Sequence, residues 1–227
     1  LNQEAGILLD DADDSIAGST VRSNEIVGNG AGLVISATTG SLIFDNLVAS
    51  SLDFGLHMAN SDNNRLEENL IVGSSDVAVL IEGSSNNVLT GNTIADNPDG
   101  GMELTGSSDY NRIENNFVTA SGDSGVIVSR SLGNEVIGNT VREMNDSGIV
   151  IDDAEQTLVY GNDLRFNTGG VALSSASNNR IEANNVSSTD GIGIEVGDFS
   201  ERNTIVLNIA NNNAATGIVV GGAAPAG

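Results

Sequence analysis

The chain has 227 residues, of which 39% are apolar but only 3% aromatic, with no tryptophan, no cysteine and two prolines. Thirty-one acidic residues stand against eight arginines and no lysine, a formal charge of −23; this repels nucleic acid and anionic membranes, and polyuronates too unless cations bridge them. The lack of thiols excludes disulfides and thiolate metal sites and suits an exported chain, and no stretch reads as a signal peptide or a membrane span.

A core without large rings has to be built from Val, Ile and Leu, the side chains of buried strands. In chain order the first such element is Ile7-Leu8-Leu9, placed after Gly6 and before the acidic run Asp10, Asp11, Asp13 and Asp14. A second apolar stretch brackets Asn24, with Val21 three residues before it and Ile26 two after. Both elements return as Leu33-Val34-Ile35 after Gly32, then Ile43 and Val48 around Asn46. They return again as Leu56-His57-Met58 after Gly55, then Leu66 and Ile71 around Asn69. The later triplets are Val79-Leu80-Ile81, with Ala78 in the glycine's place, Met102-Glu103-Leu104, Val126-Ile127-Val128, Ile149-Val150-Ile151, Val171-Ala172-Leu173, Ile194-Glu195-Val196 and Ile218-Val219-Val220. The later asparagine marks are Asn92, Asn116, Asn139, Asn162, Asn184 and Asn208, so successive marks lie 22 to 24 residues apart. Five residues before each mark stands a small polar residue: Ser19, Ser41, Asn64, Asn87, Asn111, Asn134, Thr157, Asn179 and Asn203.

In every triplet the first and third members are apolar while the middle one varies, which is the period of a strand with two residues in and one out. A repeat of this length with no amphipathic helical run predicts an all-β fold, a right-handed parallel β-helix of about ten coils. At about 4.8 Å per coil the rod is roughly 45–50 Å long. Asn and Gly are expected at its corners, where left-handed backbone is cheap for them. Stacked one per coil, the asparagine amides form an internal ladder that satisfies the backbone groups left inside at each turn. Nine repeats in one register argue against a ligand site. The sequons at Asn145 and Asn185 arise from the same pattern. Residues 1–227 are expected to be one β-helix domain, and a segment of a larger protein, because the first residues already lie inside the repeat.

The pattern carried by Gly148-Ile149-Val150-Ile151 and by Asn134-Glu135-Val136-Ile137-Gly138-Asn139 resembles the right-handed parallel β-helix repeat of NosD-type periplasmic proteins, mannuronan C5-epimerases and pectin-lyase-like enzymes. The resemblance covers nearly the whole chain. It implies an extracellular, cell-surface or periplasmic protein with a link to carbohydrate, and fold alone does not give an activity. The enzyme signatures of those families are absent: no proline follows an aspartate, no Gly-His-Gly occurs, and no lysine exists to act as a lyase base. An arginine base remains open.

Three groups of residues are candidates for chemistry. His57 and Glu103 are outward middle members of their triplets two coils apart, a spacing of roughly 9–10 Å. A sugar can span it, with His57 as base and Glu103 as acid or cation ligand; the bland alternative is a solvated histidine on a strand face. Asp10 and Asp11, and Asp152 and Asp153, follow triplets at the same corner. Paired carboxylates on a turn suit calcium, against solvated charge in a very acidic chain; no cofactor is otherwise required. Arg65, Arg112 and Arg180 share an outward column with Glu135, and pairing with nearby acids outweighs an acidic ligand as their role. Tyr110 and Tyr160 are the tyrosines available to stack on a sugar.

The outward triplet file is unusually apolar, which suits a partner surface or a neighbouring chain. The first reading is therefore a non-catalytic extracellular scaffold or surface and carbohydrate-interaction module, with end-to-end or face-to-face self-association open to it. The second is a polysaccharide lyase or C5-epimerase relative.

Overall fold

A computed structural model describes residues 3–10 and 18–221 of the chain. The chain winds as a parallel β-solenoid whose strands stack into three sheets. The long sheet has ten strands, from Ala5–Asp10 to Ile218–Val220, and holds the triplets in register. The second has nine, from Thr20–Arg22 to Thr204–Val206. The third has six, from Glu25–Val27 to Thr140–Arg142, and continues as single bridges through Asp163, Asn185 and Ile209. Every pairing between these strands is parallel, and consecutive coils match residue for residue, as in Val126↔Ile149 and Val128↔Ile151.

The core is a set of stacked files. Leu33, Leu56, Val79, Met102, Val126 and Ile149 lie one above another from the long sheet, while Ile43, Leu66, Leu89, Ile113 and Val136 form the file of the second. All are at most 2% exposed, so the alternating pattern reports burial directly.

The stretch around each asparagine mark differs from expectation. It is not one strand but two, in different sheets, with the asparagine at the bend between them: Val88–Thr90 precedes Asn92 and Thr93–Ala95 follows it. The left-handed residue at that bend is the one before the asparagine, as at Glu68 (φ 52°) before Asn69 and Leu207 (φ 60°) before Asn208. The bend swings the chain so that the next side chain points inward, which is why the asparagine itself is buried. Each coil has up to four such bends, and the sequence pattern exposes two. The other two precede the buried files Thr38, Ser61, Ser84, Ser108 and Ser74, Asn97, Ser121. Their residue types vary, but they tie coils together in the same way. The Ser61 N–H donates to Ser84 Oγ at 2.9 Å, and the Ser74 N–H to Asn97 Oδ1 at 2.9 Å.

The asparagine ladder forms as the pattern predicts. The backbone N–H and Nδ2 of Asn92 both donate to Asn116 Oδ1 at 2.9 Å, while Nδ2 also reaches Leu66 O. Asn116 repeats this towards Asn139. A parallel ladder runs through Asn64, Asn87, Asn111 and Asn134. It is interrupted at Thr157, where Thr157 Oγ1 and Asn134 Nδ2 are both buried without a hydrogen-bond partner among the described residues. Thr157→Asn restores an acceptor at that rung. It should raise stability by about 1 kcal/mol, read as a higher urea midpoint; a midpoint that stays or falls shows that the interruption is not a defect.

Candidate functional site

The outer face of the long sheet gathers the unusual side chains. Its central file runs Val34, His57, Leu80, Glu103, Ile127, Val150 and Ala172, paired strand to strand in that order. These seven are half-buried; Leu8, at the first strand, is more exposed. The apolar outward residues of the file are thus partly shielded rather than bare.

His57 and Glu103 lie in one file with the Leu80 rung between them, roughly 10 Å apart along the stack. The His57 ring packs against Phe54 of its own coil, with centroids 5.2 Å apart and planes tilted by 43°. Its Nε2 is 3.7 Å from Glu82 Oε2, too long for a hydrogen bond, and it has no hydrogen-bond partner among the described residues. No carboxylate orients the imidazole as a general base requires.

Glu103 is perturbed. Burial pushes its carboxyl above the ordinary value; the Arg130 guanidinium opposes that shift, and Asp76, Asp99 and Asp123 reinforce it. Arg130 itself is held by a bond from Nη2 to Thr105 Oγ1 at 3.0 Å.

Those aspartates belong to a file the sequence reading missed. Asp53, Asp76, Asp99, Asp123 and Asp146 each stand two residues before the glycine mark of five consecutive coils, with Ala78 as the mark after Asp76. They form one margin of the long sheet's face. Asp99 is raised above the ordinary carboxyl value, chiefly by a hydrogen bond with the Asp76 carboxyl, then by burial and by the charges of Asp76 and Asp123. The signal lies in the same register that places the glycines, but one aspartate per coil is spread too thinly along the chain to form a cluster in sequence.

The other candidates are scattered. Asp10 and Asp152 occupy one column of the long sheet but lie six strands apart, roughly 30 Å, Asp153 takes the following left-handed bend, and Asp11 lies outside the described residues. No group of three or more His, Cys, Asp or Glu side chains able to hold a metal ion occurs among the described residues. The column arginines pair with acids, as expected: Arg65 with Glu67, Arg112 with Glu114 and Glu135, and Arg180 with Glu182. Tyr110 sits at a bend beside the second sheet and Tyr160 within that sheet, both exposed, so neither faces His57.

One ion cluster lies away from this face. Asp163 is gripped by Arg165, at 2.8 Å, and by Arg142, which hold its pKa at about 2 against the ordinary 3.8. A depressed carboxyl stabilises the fold fully above its unfolded value, and that contribution fades as pH falls from about 4 to about 2. Asp163→Asn should therefore destabilise the protein by about 1–2 kcal/mol at pH 7, discounted for partial exposure. In acid titrations of stability, the gap between variant and parent should narrow from about pH 4 and close only near pH 2; a constant gap would contradict the assignment.

Residues 1–121 match the family described as periplasmic copper-binding protein (NosD), and residues 106–226 match the right handed beta helix region. Among solved structures, the periplasmic alginate epimerase AlgG is 17% identical with a TM-score of 0.76 over 82% of this chain and 49% of that one. The Dettilon tailspike protein is 17% identical, TM-score 0.78, over 88% and 47%. PfbA, a surface adhesin of Streptococcus pneumoniae, is 12% identical, TM-score 0.63, over 99% and 77%. The chain thus spans about half the length of the epimerase and the tailspike, and at these identities the likeness is one of fold. No curated protein matches it. The copper in the family description finds no matching donors here: the chain has no cysteine and one histidine, and Met58, Met102 and Met144 are buried in the core. Parallel in every sheet, with its asparagine ladder and glycine file stacked coil upon coil, the chain belongs to the NosD and right-handed β-helix families.

Proposed function

We propose that this chain is a non-catalytic, extracytoplasmic β-helix module that presents the outer face of its long sheet to a polysaccharide or another surface. The observation that carries this reading is the form of that face. It is a long, half-buried file in which the one histidine has no hydrogen-bond partner at Nε2 among the described residues and is separated from Glu103 by the Leu80 rung. A shallow depression of about 240 Å³ beside Asp146 and Ala172 lies against the file, and another of about 510 Å³ beside Leu52 and Asp53 lies at the start of the first strands of that sheet. These suit an extended ligand rather than an enclosed small molecule. Relatives in fold include a tailspike and an adhesin, and a periplasmic family description agrees with a location outside the cytoplasm.

A second reading is a lyase or C5-epimerase relative, favoured by Glu103, whose raised pKa suits a general acid. One screen separates the two: incubation with a panel of polysaccharides, with and without calcium. New unsaturated ends or altered uronate composition, abolished by Glu103→Gln and by His57→Ala, would replace the scaffold with the enzyme. Binding without turnover is the expected result.

A further inference from the structure

The three sheets differ in what they turn outward. The third is built of three-residue strands, each with its middle residue buried and its two flanking residues pointing out. They run from Glu25–Val27 through Leu47–Ala49, Leu70–Val72, Thr93–Ala95 and Phe117–Thr119 to Thr140–Arg142. Of the outward positions only the first and the last, Glu25 and Arg142, carry charge. Between them stand only Val, Leu, Ala, Thr and Phe, in a chain of formal charge −23. Val27 is 50% exposed, Leu70 41% and Phe117 42%. The second sheet, by contrast, turns out Arg65, Arg112 and Arg180 with their acids, and the long sheet turns out His57, Glu82 and Glu103. An uncharged, largely apolar face of this length marks a contact surface.

We propose that the third sheet is the interface of a two-fold dimer, in which a second copy of this chain packs face to face with its solenoid axis reversed. Each strand then lies over the strand of opposite rank. Phe117 packs over Leu47 and Ala49 of the second copy, and Leu70 over its Thr93 and Ala95, with the two-fold axis between the Leu70 and Thr93 rungs. At the ends, Glu25 comes beside Arg142. Glu25 has no ion pair among the described residues, and Arg142 shares Asp163 with Arg165, so that two guanidiniums stand on one carboxylate. These two ends lie roughly 24 Å apart along the stack, too far to meet within one chain. The bends alongside obey the same rule. Asp45 falls opposite Asn115, Glu68 opposite Gly91, Asp96 opposite Gly73 and Glu143 opposite Gly28, so no like charges are directly opposed.

Symmetry selects the occupant. A two-fold contact must be complementary to itself, and this face is so when reversed, because its one acid and its one base sit at opposite ends. With the axes parallel instead, the two Glu25 side chains would stand beside each other, and so would the two Arg142 side chains. Six rungs at ~4.8 Å and a width of about five residues give roughly 450 Å² per copy. About 900 Å² in all suits a weak, reversible dimer rather than a permanent one. The outer face of the long sheet takes no part in this contact. The inference therefore stands independently of the contact-surface reading, and such a dimer presents that face twice.

Sedimentation velocity over a range of protein concentrations tests the dimer, at moderate salt to screen the net repulsion. The mass should rise from the 23.1 kDa monomer towards twice that value, with a dissociation constant on the order of 100 µM. The double variant Leu70→Glu, Phe117→Glu changes two exposed positions. It should stay monomeric throughout, with a melting temperature at low concentration near that of the parent. Ala95→Arg, on the far side of the axis, should give the same loss, so a folding defect in the first variant does not decide the outcome. Glu25→Arg sets cation against cation and should weaken association at least tenfold, whereas Glu155→Arg, an equal charge change at an exposed position off this face, should not weaken it. Orientation is read separately, because the chain has no cysteine and Glu25→Cys and Thr140→Cys each supply a unique thiol. With a bismaleimide that spans the ~10 Å between packed sheets, these two variants, mixed, should cross-link to each other in preference to themselves. A 23.1 kDa species at every concentration, or association that survives Leu70→Glu, Phe117→Glu and Ala95→Arg, overturns the interface. Cross-linking of each cysteine variant to itself overturns the reversed packing. Equal behaviour of Glu25→Arg and Glu155→Arg overturns the charge pairing that sets it.

Discussion

Asn116→Ala should destabilise the protein by about 3–5 kcal/mol, the largest loss expected from any single polar substitution here. Asn116 is 2% exposed and sits in mid-ladder. Its Oδ1 accepts two bonds, from the backbone N–H and from Nδ2 of Asn92, and its Nδ2 donates to Leu89 O and to Asn139 Oδ1. Truncation strands the Asn92 N–H inside a dry turn and leaves Asn92 Nδ2 with Leu66 O alone. Each buried group left unpaired costs about 1–3 kcal/mol, and an alanine also leaves a void between rungs. The same change at Asn24, half-exposed in the first turn of the ladder, should cost about 1 kcal/mol or less, because water can replace part of what is lost. Urea midpoints of the two variants decide the matter. Equal, small shifts would show that the ladder is ornament rather than cement.

Gly125→Ala is the second. The glycine immediately precedes the long-sheet strand Val126–Ser129 and faces Val141 of the third sheet. A β-carbon there would collide with Val141 Cγ1 of the same coil, approach Gly148 O of the next to 2.8 Å and touch Met144 Cγ at 3.4 Å. Two of the three neighbours are core side chains fixed by stacked files, and one is backbone, so relief requires the coil to shift. Overpacking of this kind costs about 1–3 kcal/mol, and the upper end is expected because the displacement passes to the adjacent coils. Ala78→Gly, at the one position of the file where a β-carbon is already accommodated, should cost about 1 kcal/mol, from added freedom in the unfolded chain. If Gly125→Ala melts with the parent, the close crossing is not what keeps the glycine there.

Both predictions rest on positions that the sequence marks plainly. The triplet Val126-Ile127-Val128 and the pair Asn111 and Asn116 recur with so little variation that burial, strand direction and register follow from spacing alone. The bends were less legible. The residue in left-handed conformation is glycine at 91, 138 and 161 but Glu68, Tyr110 and Leu207 elsewhere. A conformation that costs a non-glycine residue about 1–2 kcal/mol is imposed there by the stacked coils, and propensity does not reveal it. The serine and mixed files were hidden for a similar reason: Ser61, Asn97 and Met144 follow equivalent kinds of bend with different chemistries, and only the coordinates show that each side chain points inward.

The candidate site divides in the same way. Spacing alone put His57 and Glu103 in one file, and the structure keeps them there. It also seats a leucine rung between them and presses Phe54 on the histidine. The aspartate file was present in the sequence, yet its meaning depends on where the arginines go. Arg65, Arg112 and Arg180 turn onto the second sheet and Arg142 and Arg165 onto Asp163, and among the described residues no arginine forms an ion pair with the aspartates of the long sheet's margin.

The sequence by itself determined the repeat, the parallel stacking, the inward files and the ladder, because a period of about 23 residues repeated through the whole chain admits one economical way of burying its apolar positions. Only the tertiary structure decided that each asparagine lies at a corner between two sheets, and which acids the arginines reach. Those facts depend on distances between side chains a full coil apart, and hydrophobic periodicity carries no information about charge pairing between neighbouring turns.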